Sequence, residues 1–212
     1  MTRLIVVRHG NSLGNRDRIF IGQTDWGLSE IGEEQVVMTT EYLDKFEIDE
    51  VYSSDLSRAY NTVLPSAEKR GLYVHKRKGL REIHAGEWET KRFEDLPVLF
   101  EESFRLWMTD IGKTRCEGGE SLAELYKRVN ATMKKIIREN DGKTVLLGTH
   151  ATVLRVMNCI WHDDKVENLQ KYDWSSNASV SVVECYPDGT YKIIDYGYDG
   201  HLEGMVTPVP CK

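Results

Sequence analysis

The sequence predicts an α/β protein: a three-layer sandwich with a mostly parallel central sheet, helices on both faces, and a helical excursion over one end. Three observations carry this. Apolar runs of strand length alternate with segments of helical periodicity, the order that winds a parallel sheet. Leu4–Val7 and the run from Thr144 to Gly148 are apolar without alternation, as strands buried on both faces are. No internal repeat, low-complexity tract or Pro/Gly/Ser linker interrupts the 212 residues, so a single domain over 1–212 is expected.

The elements follow in order. Leu4–Val7 reads as the first strand. Ser29 is placed to cap a helix running to about Phe46, with Val36 and Leu43 on one face. Val51 and Tyr52 form a short strand, and a helix follows from about Asp55 with Leu56, Ala59, Val63 and Ala67 on one face. Leu72 to His75 reads as a further strand. The stretch from about Lys91 to Gly119, rich in Phe, Leu and Trp, reads as the helical excursion. Ser121 and Glu124 have capping-box spacing, and Leu122, Leu125, Tyr126, Val129, Met133, Ile136 and Ile137 keep helical spacing behind them. Thr144 to Gly148 is a strand, followed by a helix traced by Val153, Leu154, Met157, Ile160 and Trp161. Val180–Tyr186 and Tyr191–Tyr196 flank Pro187-Asp188-Gly189, a turn signal for a hairpin.

Composition is that of a globular protein, 40% hydrophobic and 29% charged. A net charge of −6 argues against a nucleic-acid partner, which needs a basic surface to displace counterions. A small anion is still admissible, provided a few well-placed arginines make its site. The four cysteines, Cys116, Cys159, Cys185 and Cys211, have no metal-finger or CxxC spacing and read as reduced thiols. The N-terminal apolar run is too short for a signal-peptide core, and no stretch approaches membrane-spanning length, so no membrane partner and a cytoplasmic location are expected.

Ligands of open α/β sheets bind beyond the carboxyl ends of the strands. Three such ends carry polar chemistry here. The first strand ends in Arg8-His9, the strand at Val51 leads through Ser53-Ser54 to Arg58, and the strand at Thr144 runs into Thr149-His150. Sheet connectivity keeps these ends together, so two arginines, two histidines and a helix N-terminus converge, which is what a phosphate oxygen seeks. A metal is not expected: no HxxxH or HxH pair occurs, and arginine neighbours repel a cation. No P-loop, GxGxxG or GxSxG is present, and no cofactor is called for.

Five segments then resemble, in order, the histidine phosphatase superfamily (phosphoglycerate mutase-like proteins). They are Arg8-His9-Gly10 with Ser12, Asn15, Gly22 and Leu28-Ser29; the run from Tyr52 to Ala59; Leu80 to Glu89; Gly119-Glu120-Ser121; and Gly148-Thr149-His150. The resemblance implies that His9 is a transiently phosphorylated nucleophile and Glu82 the proton donor and acceptor. It implies that Arg8, Arg58 and His150 hold the phosphoryl group of a small phosphorylated substrate. Gly10, Ser12, Asn15 and Gly22 are expected to contact substrate, with Gly10 keeping a side chain away from it.

Within that family, mutases carry Glu-Arg-His-Tyr-Gly at the acid segment. Here Ile83 and Ala85 replace the Arg and Tyr, and no adjacent arginine pair occurs anywhere, so a phosphatase is expected rather than a phosphoglycerate mutase. Asn11 stands where the family often has Glu, and Ala151 where Gly is usual. Neither change removes a catalytic group. A non-catalytic phospho-ligand binder is the remaining alternative, and the intact set of His9, Arg58, Glu82 and His150 argues against it. Trp26, Phe93, Phe104 and Trp107 lie in the regions expected to meet the leaving group, with core packing as their simpler role.

Overall fold

The computed structural model describes residues 1–207, and the first strand, β1 (Thr2–Arg8), lies inside its sheet. The longer elements that follow are α1 (Glu30–Leu43), β2 (Glu50–Ser53), α2 (Ser57–Lys69), β3 (Val74–Lys76), α3 (Glu101–Thr109), α4 (Leu122–Glu139), β4 (Thr144–Thr149), α5 (Ala151–Trp161), β5 (Val180–Cys185) and β6 (Tyr191–Tyr198). The six strands pair in the order β3-β2-β4-β1-β5-β6. The first four are parallel, β5 is antiparallel to β1, and β6 is antiparallel to β5. Register brings the strand ends level, with Arg8 opposite Thr149 and Ser53 opposite Gly148.

Successive side chains of β1 point to opposite faces and feed two different cores. Leu4 and Val6, with Val145 and Leu147, pack with Leu125, Val129 and Met133 of α4 and Val153 and Met157 of α5. Ile5 and Val7, with Val51 and Leu146, pack with Leu43 of α1 and Val63 and Ala67 of α2. All four β1 residues are fully buried, which accounts for a run without alternation. This is the three-layer sandwich that the pattern predicts.

Element boundaries differ where partners distant in sequence intervene. The Ser121–Glu124 capping box forms as expected. The helix expected from Asp55 instead begins at Ser57, because Asp25 supplies the cap: its Oδ1 accepts from Ser57 N and Ser57 Oγ, each at 2.7 Å. The strand expected from Leu72 begins at Val74, and the helix expected to reach Phe46 ends at Leu43. The excursion does not open as helix. Lys91–Arg92 pairs antiparallel with Ile19–Phe20, and Phe93 stacks on Phe20 with ring centroids 6.5 Å apart. Helix Leu96–Leu99, α3 and one 3-10 turn at Ile111–Lys113 then complete it.

Among the described residues no helix is long and apolar enough to cross a membrane. Cys116, Cys159 and Cys185 are buried free thiols, and burial pushes Cys159 and Cys185 up to about 12. Cys211 lies outside the described residues.

Candidate active site

β1 ends at Arg8, and the next residue, His9, is locked from two sides. Its backbone N–H donates to the Thr149 carbonyl at 2.9 Å, tying it to the end of β4. Its ring Nδ1 lies 2.7 Å from the Gly10 carbonyl oxygen. A carbonyl only accepts, so Nδ1 carries the proton and Nε2 keeps its lone pair. Burial, then the charges of Arg58 and Arg8, hold the His9 pKa well below its ordinary value of 6.5. The result is an imidazole that is neutral at physiological pH, with its tautomer set by the main chain.

Arg58 enters from the first turn of α2 and is fully buried. Its Nη1 donates to Thr24 O at 3.0 Å and its Nη2 to Gly22 O at 2.7 Å. Burial lowers its pKa to about 10, so it stays charged at neutral pH, and Glu82 is the nearest influence that favours the charge. Arg58 Nε is buried with no hydrogen-bond partner among the described residues. Arg8 is also buried and donates through Nη1 to the Ser175 carbonyl.

Glu82 presents a carboxylate whose Oε1 accepts from Ile83 N at 2.9 Å and whose Oε2 accepts from Thr152 N at 3.2 Å. Thr152 is in the first turn of α5, so this carboxylate occupies a helix N-terminus, a position that favours negative charge. Arg128 of α4 holds the backbone around it, donating to the carbonyls of Gly79, Arg81 and Glu82 while pairing with Glu120 at 2.7 Å. His150 precedes α5 and lies beside His9, with ring centroids 5.2 Å apart. Its Nε2 shares a 2.8 Å hydrogen bond with Ser54 Oγ, and burial followed by the Arg58 charge keeps it neutral.

Arg8, His9, Arg58 and Glu82 line one cavity, together with Asn15, Gly22, Ala151 and Thr152. His150 is not among the lining residues: its side chain is fully buried beside His9, with Nδ1 lacking a hydrogen-bond partner among the described residues. Gly10 and Ser12 are also absent from the lining. Ser12 caps the short helix Leu13–Arg16, its Oγ accepting from Asn15 N at 3.2 Å. A Cβ on Gly10 would come within 2.8 Å of the Gly32 carbonyl oxygen, so this glycine admits the first turn of α1 and does not clear space for substrate. Gly22 has φ +48, where a side chain is strained, and a Cβ there would strike Glu89.

Three contributors carried no assigned role in the sequence. Asn177 Nδ2 donates to His9 O at 3.0 Å, Gly10 O at 3.3 Å and Asn15 Oδ1 at 3.0 Å, bracing the backbone at His9. The polar run Ser175-Ser176-Asn177 ahead of an apolar strand was the available signal. Glu89 accepts from Gln23 N at 3.0 Å, Ala85 N at 3.1 Å and Thr24 Oγ1 at 2.6 Å. Asp25, the remote cap of α2, had no sequence signal. Phe93 and Trp107 do line the cavity, whereas Phe104 and Trp26 do not. Ile83 and Ala85, at the mutase-distinguishing positions, are fully buried. No cluster of three or more His, Cys, Asp or Glu side chains among the described residues could hold a metal ion.

A parallel sheet whose strand ends collect buried arginines around a neutral, main-chain-oriented histidine defines a class of protein built to receive an anion at an imidazole. The chain belongs to the histidine phosphatase superfamily (branch 1), whose family model matches residues 4–195. It is 34% identical over 186 residues to Phosphoserine phosphatase 1 of Hydrogenobacter thermophilus, covering 86% of each chain. It is 30% identical over 205 residues to Phosphoglycerate mutase-like protein 4 of Arabidopsis thaliana, covering 94% of this chain and 86% of the relative. Among solved structures, Bacillus stearothermophilus YhfR superposes with a TM-score of 0.90 at 25% identity, over 95% of this chain and 100% of that one. A mycobacterial glucosyl-3-phosphoglycerate phosphatase does so with a TM-score of 0.86 at 25% identity, over 93% and 99%.

Proposed function

We propose that this protein is a phosphatase that hydrolyses a small phosphomonoester through a phosphohistidine on His9. The observation that carries the reading is the Nδ1–H···O=C bond from His9 to Gly10, which leaves Nε2 of this cavity-lining residue free to attack phosphorus. Phosphorylated relatives' substrates, phosphoserine and glucosyl-3-phosphoglycerate among them, are consistent with a small phosphorylated compound here.

On this reading the phosphate enters between Arg8, Arg58 and the N-terminus of α5. His9 Nε2 attacks phosphorus, the N–P bond forms as the P–O ester bond breaks, and Glu82, protonated once the phosphate dianion lies beside it, gives that proton to the departing alkoxide oxygen. Glu82, now a carboxylate, takes a proton from a water, whose oxygen attacks the phosphohistidine and releases inorganic phosphate. The transition state spreads charge over three equatorial oxygens, so preplaced guanidinium groups do most of the electrostatic work. His150, neutral and buried beside His9, supports the His9 ring without adding a third cation. Asn15 and Gly22 stay in the substrate-contacting role, while Gly10 and Ser12 shape the loop that carries them.

The same reading makes residues 1–212 one functional unit, since β1, α2, β4 and the Glu82 segment all contribute to one site. It places the reaction in the cytoplasm, where thiols such as the three buried cysteines remain reduced. Retaining a phosphoglycerate for re-phosphorylation calls for polar anchors at positions 83 and 85, and Ile83 and Ala85 are buried apolar residues instead.

The test is phosphate release from a phosphomonoester panel that includes 3-phosphoglycerate, run with and without chelator on wild type and His9→Ala. Release that survives chelator and vanishes in His9→Ala, with acid-labile phosphate trapped on wild type, is the expected result. Sustained His9→Ala activity, or efficient interconversion of 3- and 2-phosphoglycerate, overturns it.

A further inference from the structure

The cavity beside His9 is lined by two unlike sets of side chains. Arg8, Asn15, Arg18, Arg58, Glu82 and Thr152 are polar, while Ile19, Phe20, Ile21, Phe93, Trp107 and Trp174 form an apolar wall. We propose that the leaving group is an apolar, ring-bearing alcohol with no ammonium group, so that amino-acid phosphates are poor substrates. The inference rests on the phosphatase reading above and specifies its substrate class.

The apolar wall is assembled from four separate segments that lock one another. Phe20 of the ribbon meets Trp107 of α3 edge-on at 5.4 Å, and Trp107 meets Trp174, just ahead of β5, at 5.8 Å. Behind this wall Trp88 meets Phe20 edge-on at 5.4 Å, and the Arg155 guanidinium lies 4.4 Å over the Trp174 ring. A wall held on both sides keeps its shape before substrate arrives, so little ordering cost falls on binding. Flat apolar groups gain most from such a slot, through area removed from water and ring–ring contact.

Charge points the same way. Glu82 is the sole carboxylate among the lining residues, and on the reading above it is committed to proton transfer. A leaving-group ammonium would find no second carboxylate among the described lining residues and would sit in the field of Arg8, Arg18 and Arg58. The chain thus departs from its relative named for phosphoserine, a substrate that carries both an ammonium and a carboxylate.

The experiment compares 2-phenylethyl phosphate, n-propyl phosphate and O-phosphoserine. All three release alkyl alcohols, which removes the advantage an aryl ester takes from its acidic leaving group. Expected is a kcat/KM for 2-phenylethyl phosphate about 30-fold above n-propyl phosphate and further above O-phosphoserine. Phe93→Leu should narrow the first ratio, and Phe93→Ala should narrow it more. Equal or better turnover of O-phosphoserine or n-propyl phosphate overturns the inference and leaves the phosphatase reading standing. If no ester is hydrolysed and His9 takes up no phosphate, the phosphatase reading falls and this inference with it.

Discussion

Arg58 and Glu89 hold opposite edges of the same peptide group. The Gly22 carbonyl accepts from Arg58 Nη2 at 2.7 Å, and the N–H of that peptide, on Gln23, donates to Glu89 Oε1 at 3.0 Å. The next residue repeats the pairing: Thr24 O accepts from Arg58 Nη1 while Thr24 Oγ1 donates to Glu89 Oε2. A buried guanidinium needs compensation, yet a carboxylate in direct contact would occupy the fork that a phosphate needs. One peptide plane between the charges supplies compensation and leaves the guanidinium Nε without a hydrogen-bond partner among the described residues.

Glu89→Gln keeps the shape of this relay and removes its charge. Inorganic phosphate should bind about 5- to 10-fold more weakly, with kcat less affected, because a charged hydrogen-bond chain becomes a neutral one. Inhibition constants for phosphate measured beside kcat decide this. A loss confined to kcat, with phosphate affinity intact, contradicts the relay.

Glu82→Gln keeps the carboxamide oxygen but can neither give nor take the proton. Alkyl ester turnover should fall about 10²- to 10⁴-fold. With 4-nitrophenyl phosphate the leaving group departs without a proton, so the first step survives and the second stalls. Stopped-flow absorbance should record one equivalent of nitrophenol per enzyme as a burst, followed by slow turnover. Equal slowing of both ester types without a burst assigns the proton transfer elsewhere.

His9 and His150 make the fold sensitive to acid. Both have folded-state values well below 6.5, from burial and then the Arg58 charge. Below pH 6.5 the unfolded chain therefore binds protons that the folded chain refuses. Stability is unaffected by these groups above that pH and declines as pH falls below it, by up to about 1.4 kcal/mol per pH unit for each histidine until the folded value is reached. Urea unfolding at pH 7.0, 6.0 and 5.0 checks this against His150→Asn, whose curve should be shallower.

Asn177→Ala should destabilise the protein by about 1–3 kcal/mol, since it leaves the His9 and Gly10 carbonyls with fewer donors in a buried setting. The Gly10 carbonyl also accepts from His9 Nδ1, so the ring is less firmly oriented in this variant. Urea midpoints together with the phosphohistidine formation rate should both fall. A stable variant that phosphorylates at the wild-type rate would falsify the bracing role.

Much of the architecture was legible because it follows from period and composition. An unbroken apolar run such as Leu4–Val7 can only be a strand buried on both faces, and a capping box before seven periodic apolar residues can only be a helix. The candidate residues were legible for a related reason: cations and imidazoles immediately after such strands are placed by the strands. What escaped was set by partners distant in sequence. The start of α2 depends on Asp25, 32 positions before Ser57, and the opening of the excursion as a strand depends on Ile19–Phe20. No local propensity encodes either contact.

The sequence by itself determined the sandwich and the level at which three strands end, because side-chain periodicity and strand polarity leave few ways to bury the apolar residues. Its strand ends and its resemblance to a family named the candidates His9, Arg8, Arg58 and His150, and the resemblance alone named Glu82. Only the tertiary structure decided which of them reach the cavity. It buried His150 beside His9, turned Ser12 into a helix cap, and gave Gly10 the task of admitting α1. It also tied Arg58 to Glu89 through one peptide group and assembled an apolar wall from four segments. These outcomes rest on packing between elements far apart in the chain, where a few ångströms separate a residue that touches substrate from one that holds its neighbour.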